Sequence, residues 1–249
     1  HMPTVIERLV ASGKQVVLGS LILISLPRER RQMAELTGTE DFLVEANDLT
    51  CVRGLRGRPH AIGPFVNVYN EATAAYLADL GATRICLPPE LPLRSIATIA
   101  ASVPEVTTEV FAFGKVPLAI SARCYHARIH KLTKDNCRFV CEQDPDGLAV
   151  KTLEGDGFLS VNGVQTLSHS CASYLDDADA LARAGVGALR LSPQKCDMVQ
   201  VAHVFRNVVE GRLGAGDGNR ALSEIYPGVP FANGFLHGLP GAELAEPVT

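Results

Sequence analysis

The feature that most constrains this chain is an alternation of two hydrophobic periods, in which stretches apolar at helical spacing follow short runs of β-branched and aromatic residues. Ile6, Leu9 and Val10 recur at helical spacing before a stop at Gly13, and Val16 to Ile24 reads as a strand. Met33 to Leu36 is a short helical stretch, and Phe42 to Ala46 is a strand ending on Asn47-Asp48. Phe65 to Tyr69 reads as the next strand. Asn70 then caps a helix carrying Ala74, Leu77 and Leu80, which Gly81 closes before a strand at Arg84 to Leu87. Leu93, Ile96, Ala100 and Val103 predict a helix, and Thr108 to Phe113 predicts a strand. Leu148 to Thr152 and Phe158 to Val161 flank the glycine-bearing turn 154–157 as a β-hairpin. Leu181 and Ala184 mark a helix, Ala188 to Leu191 a strand, and Met198, Val201, Phe205 and Val208 a last amphipathic helix. From Leu213 onward the glycine- and proline-rich sequence reads mostly as loop.

This order predicts an α/β fold, (β/α) barrel-like, with about seven strands where a closed barrel has eight. The expected barrel is therefore incomplete by one N-terminal strand and carries a β-hairpin insertion. With 249 residues the chain has the length of one such domain, taken as 3–249 with a cysteine-bearing insertion at about 121–165; His1-Met2 is set aside. The first helix, Thr4 to Ser12, then has no strand before it, and the edge of Val16 to Ile24 is expected to be open to pairing with another chain.

In a barrel the loops after the strands line the face where sites are built. The residues there are Glu45, Asn47, Asn67, Tyr69, Glu90, Glu109, Arg190 and Ser192. Of these, Glu45, Asn47, Asn67, Tyr69, Glu90 and Arg190 form the candidate substrate pocket, with Glu45, Asn67, Glu90 and Arg190 expected at one mouth. The competing reading is that such polar residues cap strand ends and satisfy loop backbone.

A net charge of −4 and the lack of a basic stripe disfavour nucleic acid as a partner. The longest apolar run, Val16 to Leu26, is interrupted by Gly19-Ser20 and falls short of the ~20 residues of a membrane span. A cytoplasmic location is expected. Seven cysteines in a chain with no recognisable export signal argue for free thiols over a disulfide framework. Cys124, Cys137 and Cys141, spaced C-x12-C-x3-C, sit in a polar stretch with Arg123, Arg128, Lys131, Lys134 and Arg138, which simple core packing explains poorly. Soft thiolates at such spacing suit an iron-sulfur cluster. A zinc site completed by His126 or His130 is the alternative. No HExxH or G-x-S-x-G string supports hydrolysis, and Gly214 to Gly218 does not follow a strand as a dinucleotide fingerprint would.

Several strings carry a resemblance: Phe42-Leu43-Val44-Glu45-Ala46-Asn47-Asp48, Gly63-Pro64-Phe65-Val66-Asn67-Val68-Tyr69-Asn70 and Ser121-Ala122-Arg123-Cys124. Lys134-Asp135-Asn136-Cys137, Pro145-Asp146-Gly147, Asn162-Gly163-Val164-Gln165-Thr166, Leu189-Arg190-Leu191-Ser192-Pro193-Gln194 and Asn233-Gly234-Phe235-Leu236-His237-Gly238 follow in order. The chain resembles the UbiV group of iron-sulfur ubiquinone-biosynthesis proteins in the collagenase-like peptidase family. That resemblance implies a barrel-like fold, a [4Fe-4S] cluster and a heterodimer with a UbiU-like partner. It also implies oxygen-independent hydroxylation of a ubiquinone precursor, served by a UbiT-like lipid carrier. Cys124, Cys137 and Cys141 match three of the group's four ligands, and the fourth belongs to an N-terminal stretch expected to be missing here. Family relatives hydroxylate RNA bases, a competing function, as is a non-catalytic role stabilising the heterodimer. Cys51, Cys86, Cys171 and Cys196 match no ligand and are expected to pack or remain free.

Overall fold

The computed structural model describes residues 2–246. They form two compact units, one running up to Pro88 and taking in Thr98–Glu109, the other comprising Pro89–Ala97 and the chain from Val110 onward.

The first unit alternates helix and strand as α1 (Met2–Ala11), β1 (Val17–Gly19), α2 (Pro27–Gly38), β2 (Leu43–Ala46), α3 (Leu49–Leu55), β3 (His60–Ile62), α4 (Glu71–Asp79) and β4 (Ala82–Cys86). The C-terminal half of α5 (Leu93–Ser102) and the first residues of β5 (Thr107–Ile120) complete it. β1 to β5 pair in sequence order and in parallel, with Leu18 opposite Val44, Glu45 opposite Ala61 and Arg84 opposite Thr107. Consecutive parallel strands need helical crossovers, which bury the sheet. Val44, Ala46, Ala61, Ile62 and Ile85 on the strands and Val52, Leu55, Ala74, Leu77 and Ile99 on the helices form this core. Local chemistry starts α3 and α4. Asp48 Oδ1 accepts from Thr50 N at 2.7 Å ahead of α3, and Asn70 Oδ1 from Thr73 N at 2.8 Å ahead of α4. The chain re-enters β4 through Gly81 at φ +106°, where an added Cβ would lie 2.7 Å from the Arg58 carbonyl oxygen, so only glycine fits. By contrast α1 buries none of its residues and leaves Val5, Leu9 and Val10 exposed.

The second unit carries the rest of β5, then α6 (Tyr125–Ile129), β6 (Leu148–Lys151), β7 (Gly157–Asn162), β8 (Gln165–Ser173), α7 (Ala178–Arg183), β9 (Val186–Leu191), α8 (Met198–Val209), α9 (Ala215–Ile225) and β10 (Phe231–Ala232). β5 to β8, β8 to β7 and β7 to β6 are antiparallel, β10 runs parallel to β8, and β9 pairs with β5. Pro117, which has no N–H to donate, sits where the β5 register shifts. Phe113, fully buried, meets Phe205 edge-on at 5.9 Å between ring centroids and Phe231 at 6.3 Å, tying β5 to α8 and β10. Asp197 Oδ1 accepts from Val199 N and Gln200 N at 3.0 and 3.1 Å and starts α8. Asp197→Ala is expected to lower stability by about 1 kcal/mol in urea unfolding.

The fold class is thus α/β and (β/α) barrel-like, incomplete, with the β6–β7 hairpin inserted. β1 lies at the end of the strand order, bonded to β2 alone among the described residues, so the expected open edge is present, though the strand is three residues long and not Val16 to Ile24. Four readings need correction. The strand expected at Phe65 to Tyr69 is instead β3 at His60–Ile62, followed by a 3-10 turn over Pro64–Val66 that ends on Asn67 at φ 62°. His60–Ile62 is fully buried, so it shows no alternation, and the apolar run after it misleads. The expected loop from Leu213 onward contains α9, whose Asp217, Asn219, Arg220 and Glu224 mask its narrow buried face. β8 was not anticipated, although Asn162-Gly163 before it is a strong hairpin signal. Glu109 is the third residue of the fourteen-residue β5 and not a strand end, because the β-branched run continues into the antiparallel arm.

Candidate functional site

The cysteine-bearing segment begins with Cys124, whose buried Sγ accepts from Ala127 N at 3.4 Å and caps α6. Two short 3-10 turns, Lys134–Asn136 and Val140–Gln143, then carry Cys137 and Cys141, both half-buried. Between them Arg138 and Phe139 both adopt left-handed conformations, φ 50° and 53°. Such conformations cost non-glycine residues roughly 1–3 kcal/mol each. They reverse the chain between the two thiols and leave Phe139 exposed.

Burial pushes the Cys141 thiol up, a backbone hydrogen bond partly offsets this, and the charges that Cys124 and Cys137 would carry push it up further. Among the described residues no three His, Cys, Asp or Glu side chains stand where one metal ion could bind them. A cluster places its thiolate ligands on separate irons, so its ligands need not converge on a point as zinc ligands must.

His126 bears on the same question. Its buried ring accepts from the Gly163 N–H at Nδ1, 3.1 Å away, which puts the proton on Nε2, 3.1 Å from Asp144 Oδ2. Both nitrogens are committed, so His126 rivets α6 to the β7–β8 turn and is not free to ligate a metal. His130 lies exposed at the end of α6.

A second polar knot supports the insertion. Lys115 on β5 donates to Ser160 Oγ at 2.7 Å and to the Asp146 carbonyl at 3.1 Å. The Asp146 carboxylate accepts from the Tyr226 hydroxyl at 2.7 Å and from Lys195 N at 2.6 Å. Burial lowers the Lys115 pKa, while burial and the Asp146 hydrogen bond raise that of Tyr226. Sequence reading missed this knot because its members lie far apart in the chain; Pro145-Asp146-Gly147 was its only local trace.

Of the expected pocket, the first unit brings Glu45 and Asn47 together. Asn47 Nδ2 donates to Glu45 Oε1 at 3.1 Å and lies 3.4 Å from the Ser20 carbonyl, while Asn47 N donates to Ser20 Oγ at 2.8 Å. The two acceptors fix the amide orientation and leave Asn47 Oδ1 buried without a protein partner. An added Cβ on Gly63 would fall 1.9 Å from that oxygen. Gly63→Ala is accordingly expected to cost about 1–3 kcal/mol by overpacking, read as a lower urea midpoint at unchanged slope. Asn67 and Tyr69 are exposed on the loop after the 3-10 turn, which removes them from a strand end. In the second unit Glu90 is exposed in the loop before α5, and Arg190 is half-buried within β9.

An α/β barrel-like protein whose inserted segment carries three cysteines is the class that fold and sequence define. Residues 27–246 match Peptidase family U32, and the chain belongs to that family. Among similar proteins, the tRNA hydroxylation protein P of Haemophilus influenzae is 38% identical over 58 residues, 23% of this chain and 13% of that protein. That of Helicobacter pylori is 31% identical over 102 residues, 36% of this chain and 24% of its own length. The chain therefore spans a quarter or less of these curated relatives. No solved structure matches it.

Proposed function

We propose that this protein is an iron-sulfur member of a hydroxylation system whose substrate is the aromatic ring of a ubiquinone precursor, working as a heterodimer with a UbiU-like partner and supplied by a UbiT-like lipid carrier. The observation that carries the reading is the placement of Cys124, Cys137 and Cys141 in one inserted segment, which His126 and Asp146 pin to the fold. These three thiolates would hold a [4Fe-4S] cluster, with a fourth ligand from outside the described residues. Bound there, the cluster would supply electron transfer; the chain's own part is to position it. The cations around the segment, among them Arg123, Arg128 and Lys131, would offset the negative charge of thiolate ligation.

The names of the similar proteins favour a second reading, hydroxylation of a tRNA base. The net charge of −4 weighs toward the ring, because RNA binding draws on basic surface. The test is to reconstitute the chain anaerobically, with and without a UbiU-like partner. Ring-hydroxylated quinone precursor and hydroxylated tRNA nucleoside are then measured by mass spectrometry. Hydroxylated ring that needs both chains and the cluster supports the proposal. Product confined to tRNA overturns it in favour of the second reading, and iron-free protein with full activity overturns both.

A further inference from the structure

Between the crossover helices α2 and α3 the first unit holds a cleft of about 520 Å³, which has no part in the cysteine segment of the second unit. That size lies within the range of roughly 300–1,000 Å³ in which small-molecule sites fall. Its α2 wall is fixed at both ends. Glu29 Oε2 accepts from Ser25 N at 2.7 Å and from Leu26 N at 2.9 Å where the helix starts. Arg58 donates to the Thr37 carbonyl at 2.7 Å and to the Thr39 carbonyl where it stops. There α3 approaches closely: an added Cβ on Gly54 would lie 3.1 Å from Thr37 Oγ1, so a larger residue would push the two helices apart.

Two kinds of group line the cleft. Ile24, Met33 and Ala34 supply apolar surface, and the buried Cys51 lines it from α3. Burial pushes the Cys51 thiol up, a hydrogen bond with Ser20 partly offsets this, and the Asp48 charge pushes it up further, so the thiol adds no charge at neutral pH. The charged lining groups are Arg30, Arg53 and Asp48. Asp48 Oδ1 is committed to Thr50 N as the cap of α3. Among the described residues neither Arg30 nor Arg53, both exposed, has a hydrogen-bond or ion-pair partner.

This lining selects a ligand. Two guanidinium groups against one carboxylate leave one positive charge in excess, which a monoanion balances and a dianion overshoots. Guanidinium forks match the planar carboxylate with paired hydrogen bonds. No aromatic side chain is among the described residues lining the cleft, so nothing there stacks on a ring, whereas the unbranched, adaptable Met33 suits an aliphatic chain.

We propose that the cleft between α2 and α3 binds an aliphatic monocarboxylate, its head held by Arg30 and Arg53 and its chain laid against Ile24, Met33 and Ala34. The site goes beyond the hydroxylation reading and does not depend on it.

The test is calorimetric titration of the full chain with hexanoate, octanoate and decanoate, each below its micelle concentration. One carboxylate per chain is expected, bound about threefold more tightly for each methylene added, because each takes further apolar surface out of water. 1-Octanol, which lacks the charge, should bind about tenfold more weakly than octanoate, and octyl phosphate, a dianion at mildly alkaline pH, should also bind more weakly. Arg30→Gln/Arg53→Gln should weaken octanoate about tenfold and leave 1-octanol unchanged, a split that a merely structural effect would not produce. Ala34→Trp, at an exposed position, fills the cleft and should abolish binding of both. Should a variant fail to fold, the wild-type chain supplies a second readout. Of its three methionines only Met33 lines the cleft, so the Met33 methyl resonance alone should move saturably with added octanoate. No saturable binding overturns the proposal, as does octanoate binding undiminished in folded Ala34→Trp, octanoate bound no more tightly than 1-octanol, or a Met33 resonance that stays still. Octyl phosphate bound more tightly than octanoate would overturn the carboxylate head group.

Discussion

Anaerobic reconstitution of the wild-type chain with iron and sulfide is expected to yield protein-bound iron, acid-labile sulfide and the broad visible absorption of an iron-sulfur group. Cys124→Ser/Cys137→Ser/Cys141→Ser should retain none of these. The single variants should rank by what else each thiol does. Cys137→Ser and Cys141→Ser remove half-buried sulfurs on short turns and should fold normally while losing iron. Cys124→Ser alters a residue whose sulfur also caps α6 through Ala127 N, so the exchange keeps a capping oxygen and again affects chiefly the metal. Cys51→Ser and Cys86→Ser, in the buried core of the first unit, are the controls and should leave iron content unchanged in whatever protein folds. A chain that binds one zinc per molecule and no sulfide would replace the cluster with the zinc alternative, although His126 would have to break its bonds to Gly163 and Asp144 to take part. Full iron and sulfide in the triple variant would exclude this site.

The second large effect concerns alkaline pH. Cys171 on β8 is fully buried, and desolvation pushes its thiol from an ordinary 9.0 to about 12, with the charges on Cys196 and Asp146 acting in the same direction. Between those values the unfolded chain has lost the proton and the folded chain keeps it. Fewer protons are then bound in the unfolded state, and rising pH favours unfolding. The stability present below pH 9 is lost as pH approaches 12, with a slope of about 1.4 kcal/mol per pH unit and about 4 kcal/mol in all. Tyr174 and Tyr226, whose pKa values are also raised chiefly by burial, add to the fall in the same direction. Urea unfolding of the wild type and Cys171→Ala across this range should show the wild-type curve falling more steeply. Parallel curves would mean that the thiol ionises alike in both states.

Much of the fold was legible where the determinants are local. Asn70 and the apolar positions of α4, the period of α8, and the turn at 154–157 between β6 and β7 each act over a few residues, so reading them needs no tertiary information. The reading failed where burial is complete or the face is narrow. His60–Ile62 is buried on both faces, so no alternation marks it as a strand, and the next apolar run took its place in the reading. α9 offers little beyond Leu222 and Gly218 to the interior, and its charged face resembles loop.

The candidate sites divide along the same line. Spacing alone brought Cys137 and Cys141 forward, because three intervening residues keep two thiols near each other in almost any compact conformation. That Arg138 and Phe139 are left-handed was not legible in spacing, and the commitment of His126 depended on Gly163, 37 residues away. Asp177 and His237 lie 60 residues apart, and Tyr226 and Asp146 80. What the sequence by itself determined is most of the succession of helices and strands and which thiols are the candidates for a site, because these depend on side-chain chemistry within a turn or two. Which polar groups meet, and which nitrogen or oxygen is left over to act, was decided only by the tertiary structure. A buried hydrogen bond is made or lost by the meeting of distant segments, and that packing sets the proton on His126.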